Sequence, residues 1–279
     1  MKLIALDLDG TTFNSNKEIS RENIKAIKKA QAQGHIVMVL SGRALHEIKP
    51  DLERYDLDCH VGANNGSSLY VQDELVDIIT LQPEQINHIT SQLDKEFIPY
   101  TMSTNKGVFV PKDWDQRLEK VLSVAEAVPT ELELFSAFAE SYGHQHFNHI
   151  NDIVNDESYT IQKFFGITLD PIQKKRFEAF LDSMDEISVA STTYFLDIMH
   201  HKASKGNALK TMANHFNIPL ENTVAIGDES NDISMFQIAG LAVAMGNASD
   251  EIKKFSDVVT LSNDEHGVAY AINKYVLGG

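Results

Sequence analysis

Cysteine is almost missing from this chain. Cys59 is the only one in 279 residues, so no disulfide can form within the chain and no thiolate cluster can hold a metal. A reducing compartment suits such a sequence. Long apolar runs are missing too: stretches such as IVMVL at 36–40 fall far short of the roughly 18 residues that a membrane span needs. No membrane partner is predicted. The chain starts MKLIALDLDGT, without the long apolar stretch and small-residue cleavage site of a secretory signal, which sets the expectation of a cytoplasmic protein. Positive charge is scarce as well, with 24 Lys and Arg against 40 Asp and Glu, a net of −16 that repels polyanions. No nucleic-acid partner is expected. A phosphorylated ligand should be small and caught by cations gathered at one place, for which Lys205 and Arg43 are the candidates.

The composition itself is that of a folded protein, 43% hydrophobic and 23% charged, and neither repeats nor low-complexity segments interrupt it. Its length exceeds what one simple core needs and predicts two domains. Residues 2–8 read as a buried strand, and Ser20 reads as the N-cap of a helix that stops at Gly34, with Ile19 and Ile24 at the spacing of a hydrophobic staple. IVMVL is a second buried strand and ends in SGR at 41–43. CHVGA at 59–63 is a third, followed by NNG and the alternating SSLYV of a hairpin at the sheet edge. From about 83 to 189 the pattern changes to α+β: paired strands around Asn105-Lys106-Gly107, a helix over 113–128, the strand QKFFGIT and a helix after Asp170-Pro171. The α/β rhythm then returns with TTYFLDIM, the helix SKGNALKTMANHF, the strand TVAIGD, a helix from Asn231, LAVAM and VVT. The expectation is an α/β fold, a Rossmann-like parallel-sheet core over 1–82 and 190–279 with an α+β domain inserted at 83–189.

Three of the apolar strands end in polar clusters: LIALDLDGT, IVMVLSGR and TVAIGDESND. Ligands of open parallel sheets bind at the carboxyl ends of strands, so these clusters should converge. Asp7 and Asp9, two apart on an extended chain, should face one ligand, with Asp228 and Asp232 adding two more carboxylates. At ~4 Å and an effective dielectric of ~20, each bare carboxylate pair costs about 4 kcal/mol. A hard divalent cation relieves that repulsion, and an oxygen-only donor set that leaves room for water and phosphate favours Mg²⁺. The Ser41 hydroxyl, the Ser41 and Gly42 amides, Asn231 and Lys205 at a helix N-terminus supply donors for an anion. Together these groups form a complete set for phosphoryl transfer.

The motifs DLDGT at 7–11, SGR at 41–43, SKG at 204–206 and GDESND at 227–232, with MGNA at 245–248 and HGVA at 266–269, resemble the haloacid dehalogenase (HAD) superfamily. The resemblance is to its Cof-type phosphatases, which carry a large C2-type cap. It covers the whole core in order, while the cap matches by position and character. It implies that Asp7 attacks phosphorus to form an aspartyl-phosphate, and that Asp9 protonates the leaving alcohol and then activates water. Asp7, the Asp9 carbonyl and Asp228 would hold Mg²⁺ with Asp232 in support. Leu8 (through its amide), Ser41, Gly42, Lys205 and Asn231 would bind the phosphate. The resemblance also separates activities, since related pumps carry threonine at the position of Asp9 and dehalogenases lack an acid there. Ser41 in place of threonine, Thr12 in place of an apolar residue and Glu229 after Asp228 are small departures from the pattern.

Plainer readings stand beside these. A lone DxD is more often a turn or a solvated cap. Glu229 is either a metal contact or an exposed acid. Arg43 is a substrate contact, a salt-bridge partner or a helix-start residue, and a structural role is favoured. His144, His146 and His149 in HQHFNH, without cysteines nearby, are read as lining a strand rather than holding a metal. His200 and His201 receive no catalytic role, the lysines of NIKAIKKAQ form a solvated helix face, and Phe164 and Phe165 pack the inserted domain. The expected function is hydrolysis of small phosphorylated metabolites, sugar phosphates or similar esters, with the inserted domain closing over the site. A phosphomutase is the alternative, and a non-catalytic phosphometabolite sensor a remoter one.

Overall fold

The structure, a computed structural model, describes residues 1–123 and 143–278. It divides into two units, Met1–Ile78 with Ala203–Gly279, and Ile79–Lys202 between them. The first unit opens with strand β1 (Leu3–Leu6), whose four residues are all fully buried. Ile4 and Leu6 face one apolar layer with Ile27 and Val39, while Leu3 and Ala5 face another with Met38 and Leu209. Burial on both faces is why a central parallel strand reads as a continuous apolar run. The helix Arg21–Ala32 begins as expected, with the Asn23 N–H donating to Ser20 Oγ at 3.2 Å, and Gly34 lies just past its end. Strands β2 (Ile36–Leu40) and β3 (His60–Ala63) extend the sheet in parallel, and β4 (Ser68–Val71) and β5 (Glu74–Ile78) close it as an antiparallel hairpin.

The second unit holds the helix Pro83–Glu96, β6 (Tyr100–Thr104), β7 (Gly107–Pro111) and the helix Trp114–Ser123. The remainder of the helix expected over 113–128 lies outside the described residues. Beyond it come β8 (Gln145–Phe147), β9 (Ile161–Ile167), the helix Pro171–Asp182, β10 (Ile187–Ser191) and β11 (Phe195–His200). The strands form a six-stranded sheet in the order β10-β11-β9-β6-β7-β8 over a core that includes Tyr100, Phe164 and Phe177. Phe164 thus packs as expected.

The strand TTYFLDIM differs from its sequence assignment. β11 pairs antiparallel with β9 and β10 in this second sheet instead of reopening the parallel core, so the second unit runs to Lys202 and not to 189. Its alternation explains why: Leu196 and Ile198 are buried, while Asp197 between them pairs with Lys163 at 2.8 Å. Alternation marks a strand with one face on a core, unlike the unbroken apolar runs of the parallel sheet.

The first unit resumes with the helix Lys205–His215 and strands β12 (Thr223–Gly227), β13 (Leu241–Ala244) and β14 (Val258–Val259). Its sheet runs β14-β13-β12-β1-β2-β3-β4-β5. From β1 the chain builds outward through β2 and β3 on one side and from β12 to β14 on the other. The order therefore reverses between β1 and β12, the position at which open α/β sheets form a binding crevice.

Candidate active site

β1 is in register with both neighbours, Leu6 lying opposite Val39 and Ile226. The residues that follow these strands, Asp7, Ser41 and Asp228, therefore emerge at one end of the sheet. Lys205 enters from the first turn of its helix, 1% exposed, with Ser204 capping that helix by accepting from the Asn207 N–H at 3.1 Å. Its Nζ donates to Asp7 Oδ1 at 2.6 Å and to Asp232 Oδ1 at 2.5 Å. The other oxygen of Asp232 accepts from the Asp228 and Glu229 backbone N–H groups at 2.8 and 3.0 Å. Asp232 is thus a strut that fixes both the lysine and the Asp228 loop.

Asp228 is held by two residues to which the sequence assigned no such role. Thr11 Oγ1 donates to Asp228 Oδ1 at 2.6 Å, and Asn247 Nδ2 donates to Asp228 Oδ2 at 3.3 Å and to the Gly10 carbonyl at 2.9 Å. Gly10 has φ +75°, and a Cβ there would come within 2.2 Å of Asp228 Oδ2. Only glycine both takes that turn without strain and lets the carboxylate approach.

Oxygens of Asp7, Asp228 and Asp232 lie within 4.8 Å of one another, and all three residues are buried. Burial pushes the Asp7 carboxyl well above its ordinary value against the pull of Lys205, with the charges of Asp232 and Asp228 adding to the rise. Asp228 is pushed up to about 7 by burial, opposed by the Thr11 hydrogen bond and reinforced by Asp232 and Glu229. For Lys205 burial acts downward but is outweighed by Asp232 and Asp7, so it stays protonated. Three carboxylates around one ammonium leave excess negative charge among hard oxygen donors, and that donor set fits a hard divalent cation.

Asp9 lies outside this group. β1 ends at Leu6 and the chain turns at once, so the two-residue period that would align Asp7 and Asp9 does not apply. Arg43 Nε donates to Asp9 Oδ2 at 2.7 Å and its Nη2 to Oδ1 at 2.6 Å, with Lys17 Nζ on Oδ1 at 2.8 Å. Burial alone would raise the Asp9 carboxyl, but the Arg43 hydrogen bonds and charge, with Lys17, hold it below its ordinary value. Arg43 also reaches Asp51 at 3.3 Å and lies over the Phe13 ring at 5.1 Å. Arg43 thus takes the salt-bridge role among those the sequence offered, as the principal partner of Asp9.

The remaining predicted residues sit on the same sheet end. Ser41 is buried and its Oγ accepts from the Arg43 N–H at 3.2 Å across Gly42. Leu8 is fully buried, and its carbonyl accepts from the Phe13 N–H at 2.8 Å to close the turn. Asn231 Nδ2 donates to Asn65 Oδ1 at 3.0 Å. Glu229 is exposed and does not join the carboxylate group. Among the described residues the one other cluster of possible metal ligands is Glu186, His200 and His201 in the second unit, and the HQHFNH histidines form none. In that cluster His200 Nδ1 already accepts from the Lys202 N–H at 3.2 Å.

A doubly wound sheet with carboxylates, a buried lysine and a hydroxyl at the switch point defines a phosphoryl-handling hydrolase. The family model described as haloacid dehalogenase-like hydrolase matches residues 4–272, and the chain belongs to that family. It is 35% identical to phosphatase YwpJ of Bacillus subtilis, over 97% of this chain and 98% of the relative. It is 32% identical to 5-amino-6-(5-phospho-D-ribitylamino)uracil phosphatase YwtE of the same organism, over 100% and 99%. Among solved structures, a haloacid dehalogenase-like hydrolase from B. subtilis superposes with a TM-score of 0.87 at 33% identity, covering 99% of this chain and 100% of that one. The protein is a HAD-family phosphatase. Among the described residues no helix is long and apolar enough to cross a membrane.

Proposed function

We propose that the protein is a cytoplasmic, Mg²⁺-dependent phosphatase of small phosphomonoesters that works through an aspartyl-phosphate on Asp7. The observation that carries this reading is the Lys205 ammonium spanning Asp7 and Asp232 beside Asp228, a buried carboxylate aligned by a fixed cation at the switch point. An Asp7 oxygen attacks phosphorus and the phosphorus–oxygen bond to the leaving group breaks. Asp9, released from Arg43 in its protonated form, gives its proton to the departing alkoxide. Asp9 then takes a proton from water, the resulting oxygen attacks phosphorus, and the bond to Asp7 breaks to free inorganic phosphate. Lys205, Ser41, Gly42, Asn231 and the Leu8 amide hold the phosphoryl oxygens. Asp7, the Asp9 carbonyl and Asp228 would hold Mg²⁺, which supplies charge neutralisation and orientation of the phosphoryl group.

The substrate class follows the relatives: YwtE is named for a phosphorylated ribityl compound, which supports a sugar- or polyol-phosphate substrate here. The second unit, Ile79–Lys202, is assigned to substrate selection. The test is phosphate release from a panel of sugar, polyol and nucleotide monophosphates with Mg²⁺ or EDTA. Metal-dependent release with a preferred sugar or polyol ester is expected. Transfer of the phosphate to a second hydroxyl of the sugar, without release, would replace hydrolysis by a mutase reaction.

A further inference from the structure

The turn Asn64–Gly66 touches three of the segments that the proposed phosphate site requires, although the sequence marks it only as the start of a hairpin. Asn64, Asn65 and Gly66 all have positive φ, at 50°, 57° and 89°. Both asparagines are only 2% exposed. Three successive left-handed residues in the protein interior are costly unless their surroundings fix them.

Those surroundings are the site. The Asn65 N–H donates to the Ser41 carbonyl and the Asn64 N–H to the Arg43 carbonyl, each at 2.8 Å, so the turn clamps the SGR loop at both ends. Gly66 packs against the start of the Lys205 helix, where a Cβ would come within 2.7 Å of the Ser204 carbonyl and of Ala208 Cβ. The Asn65 side chain makes the third link, accepting from Asn231 Nδ2 at 3.0 Å. Among the described residues Asn231 Oδ1 is buried with no hydrogen-bond partner, so the bond to Asn65 fixes this amide. An amide nitrogen carries two protons, and Asn65 takes one while orienting the other.

We infer that Asn65 is a positioning residue: its Oδ1 sets the Asn231 amide for the phosphoryl oxygens while its backbone N–H locks the Ser41 loop that serves the same group. The inference rests on the assignment of Asn231 to phosphate binding. Asn65→Gly is the cleanest probe, because glycine takes a positive φ without cost and removes only the side chain.

The experiment is a double-mutant cycle on full-length protein, reading the inhibition constant of inorganic phosphate together with KM and kcat for p-nitrophenyl phosphate. Asn231→Ala should weaken phosphate about tenfold, and Asn65→Gly about threefold to tenfold with the loss mainly in KM, in the range of one ordinary hydrogen bond. The double variant should be no weaker than Asn231→Ala alone, since the two residues act as one unit. Additive losses, or wild-type phosphate inhibition in Asn65→Gly, would overturn the inference while leaving Asn231 in its role. No effect of Asn231→Ala would instead remove the assignment beneath it and the inference with it. Should Asn65→Gly fail to fold, Asn65→Ala takes its place in the cycle with the same criteria.

Discussion

Asp7 and Asp9 are two residues apart in sequence, yet their surroundings push them in opposite directions. Asp7 sits in a buried nest with Asp228, Asp232 and Lys205, where burial and like charge favour its protonated form. Asp9 turns to Arg43 and Lys17, which favour its ionised form. A nucleophile must be ionised and a general acid protonated, so each carboxyl rests opposite to its proposed task. The comparison teaches that the resting site is held in check twice. On the proposed mechanism a divalent cation held by these carboxylates would favour the ionised form of Asp7, and Asp9 would take up its proton on leaving Arg43. Pairs of carboxyls separated by their environments are how one site runs both roles.

The sharpest way to break the comparison is Asp7→Asn, which should lower turnover by at least about 10³-fold with the fold intact, as loss of a nucleophile does. Circular dichroism and phosphate release measure both. Lys205→Met removes the common partner of Asp7 and Asp232 and leaves buried carboxylates uncompensated, a loss of about 3–5 kcal/mol in urea denaturation. A change below about 1 kcal/mol would show that the nest does not depend on the lysine.

In single-turnover measurements Asp9→Asn should slow the first step, release of the leaving group, by about 10²-fold or more on alkyl phosphates, the usual contribution of a positioned acid, and much less on p-nitrophenyl phosphate, whose leaving group needs no proton. Equal losses on both would take the acid role from Asp9. The carboxyls of the nest predict a linkage with pH. An acid whose value is raised on folding binds more protons when folded, so the metal-free protein loses stability as pH rises from the unfolded value of 3.8 towards about 7, the value of Asp228. A cation bound there would compete with the Asp228 proton, so apparent Mg²⁺ affinity should rise by up to about tenfold per pH unit per proton as pH climbs towards 7. Calorimetric titration at pH 5.5, 6.5 and 8 checks this, and a flat profile would exclude these carboxyls as the ligands.

The smallest effect belongs to the Arg43–Asp9 pair. Asp9 is lowered on folding, so its pairing stabilises the protein above the unfolded carboxyl value and that contribution disappears as pH falls through the folded one. Arg43→Gln should therefore cost within about 1 kcal/mol at pH 7, as befits a partly exposed pair, and less at pH 3, below the unfolded carboxyl value. Thermal melts at the two pH values decide it.

What the sequence made legible follows from where the chemistry sits. LDLDGT, SGR, SKG and GDESND stand at the ends of strands or the start of a helix, so a local reading of apolar runs finds them. The residues it missed act across distance. Thr11 meets Asp228 217 positions away, Asn247 meets Gly10 at 237 and Asn65 meets Asn231 at 166, and no local pattern marks such pairs. Asp9 does not align with Asp7 because the strand ends at Leu6, two residues short of the extended run expected over 2–8. TTYFLDIM was placed in the core because its apolar content outweighed the Asp197 that signals a one-sided strand.

The central claim is covalent chemistry on Asp7, and rapid acid quench during turnover, followed by peptide mass spectrometry, tests it most directly. The account predicts a phosphoryl group on the N-terminal peptide that carries Asp7, absent in Asp7→Asn. Undiminished turnover in Asp7→Asn, or a quench that traps no phosphoryl-enzyme while phosphate release continues, would contradict it.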